Sequence, residues 1–425
     1  MAAAGKSYCI QVQAPDSSDT QQRLCLSIPK QAEYIIERLE ANGFEAYVVG
    51  GCVRDSLLGR IPGDWDITTQ ASPQEVKAIF GRTIDTGIAH GTVTVMRGKE
   101  AYEVTTYRID GEYEDGRHPK NVSFTSCLEE DLMRRDFTIN AMAYSQRTGL
   151  IDIFEGERDL KEKRLRCVGN PHDRFKEDAL RILRALRFSA QLGFGIEPKT
   201  REALRDLAPN LGCVSKERIQ TELTKLLLSA NPDYIRMVFE DGLAPWISES
   251  FGRIKRDRVQ VSQNIPASVP LRWAAVLRYE TEEAARAVLK ELKMDNDTIA
   301  KVKILVHWWQ RPIGSDEKEI RKTMSEMPED AYDDLLAMKQ SCQDIPESPK
   351  ELETISRLTE LIRRRGDCIS LKTLAVTGND LIGQGMKPGK AIGKALGILL
   401  DTVLENPGNN EKEKLLAQLY HKGYL

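Results

Sequence analysis

Apolar and polar positions change their period near residue 150. Before that point the chain carries short apolar runs and alternating stretches, which predict strands at 46–49, 64–67, 92–96 and 101–108. One helix precedes them and a second interrupts them. Ile28-Pro29 opens the first, whose stripe is Ala32, Ile35, Ile36 and Leu39 and whose stop is Asn42-Gly43. The second begins at Ser72-Pro73-Gln74-Glu75, a Ser at the N-cap with Glu three residues on, and runs through Val76, Ile79 and Phe80. From Leu128 onward the helical period dominates, with helices expected over 177–192 (stopped by Gly193), over 216–228 and within 270–310. Residues 313–350 are rich in charge and proline and read as a connection between domains. Residues 370–404 carry Gly378, Gly383, Gly385, Gly389, Gly393 and Gly397, which predicts a turn-rich element followed by a helix. Residues 1–27 show no period and read as a poorly ordered leader. Residues 110–121 are polar, with two glycines and a proline, and read as a mobile loop. The fold class expected is α+β: a small mixed sheet first, then an all-helical remainder.

Length and composition narrow this only a little. A chain of 425 residues exceeds a single core and predicts two to four domains. A formal net charge of −3 gives no global sign of nucleic-acid binding, so any RNA-binding surface must be a local concentration of basic residues. The cysteines (9, 25, 52, 127, 167, 213, 342 and 368) are scattered, with no CxxC pair, so no zinc site is expected and a reducing cytoplasm is. No stretch is apolar for long enough to span a membrane, and the first residues lack a basic-then-apolar signal pattern.

Four constellations carry chemistry. The first is Gly50-Gly51 with Arg54, followed by Asp64 and Asp66. Residues i and i+2 of a strand share a face, so the two carboxylates aim at one spot. Paired carboxylates beside a glycine turn suit a divalent cation bridging triphosphate oxygens, although a surface strand with alternating acids shows the same spacing. The second runs from Arg134-Arg135-Asp136 to Ala143, two arginines and an acid ahead of a half-apolar helix; a charge-paired helix start would look alike. The third is Glu177 to Phe188, in which Asp178, Arg181 and Arg184 fall near one helix face and Arg187 drifts around it. A carboxylate accepts from an exocyclic amino group and a guanidinium donates to a ring acceptor. An Asp–Arg edge therefore fits cytosine and adenine and opposes uracil and guanine, at a cost of about 1–3 kcal/mol per mismatch. The fourth is Ser215 to Leu223, with Ser215 as N-cap and Arg218–Glu222 as an intrahelical pair, a supporting element.

In this order the constellations resemble those of the class II tRNA nucleotidyltransferases, the CCA-adding enzymes of the polymerase β-type superfamily, with bacterial poly(A) polymerase as a near relative. The resemblance covers about residues 28–230 and continues weakly at Gly378 to Ile382 and Pro388-Gly389. It implies a leader over 1–27, a nucleotidyltransferase head over 28–150, a helical neck over 151–230, a body over 231–330 and a tail over 331–425. Asp152 to Leu160, with Gly156 and Asp159, resembles the connection from head to neck. The implied activity is template-independent addition of CCA to the tRNA 3′ end from CTP and ATP, with release of pyrophosphate. Asp64 and Asp66 would be catalytic and hold Mg²⁺. Gly51, Arg54, Arg135, Asp178, Arg181, Arg184 and Arg187 would contact the nucleotide, Asp178 and Arg181 reading the base, and Glu103 would lie near the metals. Poly(A) synthesis, partial (A-adding or CC-adding) activity and an inactive RNA-binding module are the alternatives. The length of the 110–121 loop favours the complete CCA end. Arg363, Arg364, Arg365, Lys387 and Lys390, in a locally basic segment, are expected to grip the tRNA backbone.

Overall fold

The computed structural model describes residues 25–110, 122–342 and 344–425. Two compact units form, one up to Arg253 and the other Ile254–Leu425. The 110–121 loop lies almost wholly outside the described residues, as do residues 1–24 of the expected leader. The leader's last residues are not loose: Leu26 is buried, its N–H donates to Tyr144 Oη at 3.1 Å, and Gln146 Nε2 donates to its carbonyl at 3.0 Å.

The first unit opens with α1 (Lys30–Ala41), β1 (Ala46–Val49), α2 (Gly51–Leu57), β2 (Ile67–Thr69) and α3 (Pro73–Ile79). The strands β3 (Thr83–Gly87), β4 (Thr92–Arg97), β5 (Glu100–Thr106), β6 (Arg108–Asp110) and β7 (Val122–Phe124) follow, then α4 (Leu128–Met133), β8 (Ala143–Ser145) and β9 (Gly149–Ile151). Among the described residues the main sheet has the order β3-β4-β5-β2-β1-β8-β9. It is mixed, because β2 runs parallel to β5 and antiparallel to β1. The buried stripe of α1 is the expected Ala32, Ile35, Ile36 and Leu39, and α3 carries the expected capping box, both Ser72–Glu75 bonds being made. β1 and β2 are buried along their whole lengths, which is why β1 reads as an apolar run without alternation.

Two expected elements differ. The strand expected over 64–67 starts only at Ile67. The ladder with β1 runs Ala46↔Thr69 to Val48↔Ile67 and ends when Val49 N donates to the Asp66 carbonyl at 3.0 Å, because the partner strand turns away at Gly50. Asp64 and Asp66 thus stand on an extended lead-in to the strand. The helix expected after Asp136 is a single 3₁₀ turn, Thr138–Asn140, after which the chain enters β8.

The unit continues with α5 (Gly156–Lys161), α6 (Pro171–Glu177), α7 (Leu180–Leu192), α8 (Pro198–Asp206) and α9 (Lys216–Leu227). The segment at 152–160 locks α5 to the sheet region. Asp152 accepts from the N–H groups of Gly156 and Glu157 at 2.7 and 2.8 Å. A Cβ on Gly156 would come within 2.4 Å of the Thr138 carbonyl, so only glycine fits. Buried Asp159 binds Thr138 Oγ1, Arg164 and Arg166.

In the second unit the regular elements among the described residues are helices, from Val269–Leu277 to Lys412–His421. The segment 313–350 is not an open connection. It forms the helices Glu317–Ser325 and Glu329–Gln340, and fully buried Lys339 donates to Glu347 and to the carbonyls of Trp309 and Arg311. Residues from Cys368 to Leu419 build a core of their own around Val376, Leu381, Leu399 and Leu415. No described helix is long and apolar enough to cross a membrane.

Candidate active site

Gly50 makes the turn between β1 and α2 with φ +80° and ψ −124°, a backbone conformation open in practice only to glycine. A Cβ there would also lie 2.9 Å from Arg135 Nη1. Cys52, just inside α2, is buried and its thiol is pushed up to about 12, which removes it as a nucleophile.

Asp64 is exposed and Asp66 is half-buried. Burial, then the charge of Asp64, raise the Asp66 carboxyl to about 6; Glu103 adds to the rise and Arg135 opposes it. Glu103 belongs here by register: Ile67 pairs with Val104 in the parallel β2–β5 ladder, so Asp66 and Glu103 are the next residues along. Like charges held together and only partly offset by Arg135 are what a divalent cation relieves, and the oxygen donors suit a hard ion. Among the described residues no group of three or more His, Cys, Asp or Glu side chains closes a metal shell.

The arginines arrive from three elements and are fixed by a shared polar scaffold. Arg54 Nη1 donates to Asn140 Oδ1 at 2.6 Å, and its Nε and Nη2 donate to Asp55. Asn140 Nδ2 donates to Asp136 Oδ1 at 3.1 Å, and Arg184 donates to Asp136 Oδ2 through Nε at 2.8 Å. Burial alone would raise the Asp136 carboxyl, but Arg184 and Arg181 with the Asn140 bond bring it down to about 2. The guanidinium carbons of Arg54, Arg184 and Arg187 lie 5.1, 5.3 and 3.8 Å from the Phe188 ring centroid, so three cations share one aromatic support.

The segment expected to read the base departs from expectation. Asp178 is not on the helix: α6 ends at Glu177, Asp178 has φ −140° and ψ 105°, and α7 begins at Leu180. The break is stabilised locally and at long range. Asp178 Oδ1 accepts from Leu180 N at 3.0 Å, and Oδ2 accepts from Arg218 Nη2 at 2.8 Å. Arg181 donates to Glu177 Oε2 at 2.6 Å and to the carbonyls of Arg174 and Arg134. Arg187 pairs with Glu222. The expected Arg218–Glu222 pair within α9 is therefore replaced by two bonds to other segments, and Ser215, though at the N-cap position, makes no side-chain capping bond.

The candidates of the first unit are thus brought onto connected elements, whereas Arg363, Arg364, Arg365, Lys387 and Lys390 belong to the second unit. Arg363 pairs with Asp333 and Glu329, Arg364 with Glu360, and Arg365 with Glu317 and Asp367. Lys387 and Lys390 are exposed and have no acidic partner among the described residues. Asn140 and Phe188 escaped the sequence reading as site residues because an amide and an aromatic inside apolar stretches carry no charge signal.

Comparisons with known proteins bear on the family of the chain. Residues 46–166 match the model described as the Poly A polymerase head domain. Residues 193–251 match that of a probable RNA and SrmB-binding site of polymerase A, and residues 267–419 a putative tRNA nucleotidyltransferase domain 2. The CCA-adding enzyme of Lacticaseibacillus paracasei is 38% identical over 405 residues, 93% of this chain and 97% of that enzyme. That of Enterococcus faecalis is 37% identical over 401 residues, 91% and 95% of the two chains. The crystal structure of the Bacillus stearothermophilus CCA-adding enzyme in complex with CTP superposes with a TM-score of 0.78 at 31% identity, covering 93% of this chain and 97% of that one. With relatives of that identity matched over nearly their whole length, the chain belongs to the family of CCA-adding enzymes.

Proposed function

We propose that this chain adds C, C and A to the 3′ end of tRNA from CTP and ATP without a nucleic-acid template. The observation that carries the reading is one scaffold in the first unit that holds the Asp64–Asp66 carboxylates, a set of fixed arginines, and Asp178 and Arg181 at the start of α7. The tRNA 3′-hydroxyl attacks the α-phosphate in line: a new O3′–P bond forms, the bond to the β-phosphate oxygen breaks, and pyrophosphate leaves. Asp64 and Asp66 would hold Mg²⁺, which would supply neutralisation of developing charge and a lowered pKa for the attacking hydroxyl. Arg54, Arg135, Arg184 and Arg187 orient the triphosphate, and the Gly50-Gly51 turn lets main chain approach it. Asp178 accepts from the exocyclic amino group of C or A while Arg181 donates to the ring acceptor. Glu177 and two main-chain carbonyls already hold the Arg181 guanidinium, so little side-chain freedom is lost when a base docks.

The division into head (28–150), neck (151–230), body (231–330) and tail (331–425) is part of this proposal, supported at its end by the separate core around Val376 and Leu399. So is a cytoplasmic location, which the free cysteines suit. Lys387 and Lys390 are proposed to bind the tRNA backbone.

Asp64→Ala is expected to abolish nucleotide addition while tRNA binding persists; robust activity in that variant would remove the metal assignment. The match to a poly(A) polymerase head favours a second reading, homopolymeric A addition. Incubation with tRNA ending at its discriminator base, plus CTP, ATP or both, separates the two. Three added nucleotides with both present support CCA addition, and a long A tract with ATP alone supports the alternative.

A further inference from the structure

Asp131 on α4 is completely buried, and a buried carboxylate persists only when it is paired. Its Oδ1 accepts from Arg134 Nε at 2.9 Å and from Arg108 N at 3.4 Å. Its Oδ2 accepts from Thr68 Oγ1 at 3.1 Å and faces Arg135 Nη2 at 3.5 Å. Burial would raise this carboxyl, but Arg135 and Arg134 hold it below the usual range, so it is ionised at neutral pH. Thr68 lies on β2, two residues beyond Asp66, so Asp131 is tied to the strand that the carboxylate pair leads into.

One carboxylate facing two guanidiniums leaves a net positive charge, and the two are held unequally. Arg134 also approaches through Nη2 at 2.8 Å, whereas Arg135 meets Asp131 only at 3.5 Å. Arg135 Nε is buried with no hydrogen-bond partner, and Nη1 stands against the Gly50 turn. Arg135 is held along one edge by Asp131 and stands against the Gly50 turn with donors left over, and its charge lowers the Asp66 carboxyl.

We propose that Asp131 is a positioning residue for nucleotidyl transfer: anchored to β2 through Thr68, it holds Arg135 against the Gly50 turn so that the remaining guanidinium donors meet the triphosphate. The inference rests on Arg135 as a nucleotide contact. The test compares Asp131→Asn, Thr68→Val and Arg135→Ala in the full chain, measuring KM for CTP and for ATP, kcat, tRNA affinity and the thermal midpoint. Asp131→Asn is expected to raise both nucleotide KM values together by about tenfold, the factor one charge-assisted hydrogen bond carries, with tRNA affinity unchanged. Thr68→Val moves them the same way by about two- to threefold. Should Arg135→Ala leave both KM values unchanged, the nucleotide-contact reading fails and the inference with it. Should Arg135→Ala raise KM while the other two variants do not, the inference alone is overturned. A lower kcat and midpoint with unchanged KM in Asp131→Asn marks Asp131 as structural and overturns it too. If Asp131→Asn does not fold, Thr68→Val decides by the same KM criterion.

Discussion

Asp66 makes the site sensitive to pH, with a definite sign. An aspartate in the unfolded chain titrates near 3.8, whereas in the folded chain burial and the charges of Asp64 and Glu103 raise it to about 6. The folded state thus binds more protons between these values. Ionised Asp66 opposes folding: the cost is absent below about 4, grows as pH rises and is complete above about 6. A divalent ion competes with that proton. Mg²⁺ or Mn²⁺ affinity measured by calorimetry is expected to be about tenfold weaker at pH 5 than at pH 7.5, since one unit below the pKa only about a tenth of the group is ionised. Equal affinity at both values would sink the role given to Asp66. Gly50 is exposed to a different test at the same scale. Gly50→Ala forces a side chain into φ +80° and against Arg135, and is expected to cost about 1–3 kcal/mol in urea denaturation and to raise the KM of both nucleotides. Unchanged stability would mean that the turn relaxes without strain.

At the scale of elements, the proposed reading of the base by Asp178 and Arg181 puts weight on the break between α6 and α7. Asp178 leaves the helical path there and is held by Arg218, from a helix 40 residues on. Arg218→Ala is expected to free the carboxylate and to raise insertion of U and G relative to C and A by about tenfold, measured as the ratio of kcat/KM values. Unaltered discrimination would show that Asp178 keeps its place without Arg218. The break was not legible in the sequence. Glu177 to Phe188 contains no Gly or Pro, and its spacing fits one continuous helix; the interruption comes from a tertiary partner together with a local Asp178–Leu180 bond. Elements governed by their own residues were legible, as the stripe of α1 and the capping box of α3 show. β3 was not, because its exposed pattern carries no apolar signal. β8 was hidden because Ile139 to Ala143 is apolar enough to pass for a helix. The site divides in the same way. Motif spacing identified Asp64, Asp66, Asp178 and the arginines as candidates. Which acid holds which arginine, Asp136 with Arg184 and Glu222 with Arg187, is a matter of packing between elements and has no one-dimensional signature.

Across the whole molecule the net charge is −3, so binding a polyanion depends on where basic side chains remain unneutralised. Composition alone made Arg363, Arg364 and Arg365 the obvious handle. They occupy the last turn of the helix Pro349–Arg365, where cations complement the helix terminus, and each is paired with acids: Arg363 with Asp333 at 2.7 Å, Arg364 with Glu360 at 2.5 Å and Arg365 with Glu317 at 2.5 Å. Breaking such pairs to reach phosphate gives back part of what binding the phosphate gains. Lys387 and Lys390 incur no such loss, being exposed and without acidic partners among the described residues, on either side of the Gly389 turn at φ +146°. The double variant Lys387→Ala/Lys390→Ala is therefore expected to raise the tRNA KM, to spare the KM for ATP, and to flatten the plot of log affinity against log salt by about 2, close to one unit for each phosphate that a lysine no longer neutralises. Replacing the three arginines by alanine is expected to change that slope far less. If the arginine variant instead flattens the plot and the lysine variant leaves it unaltered, the tRNA backbone is gripped by side chains that first surrender their acidic partners.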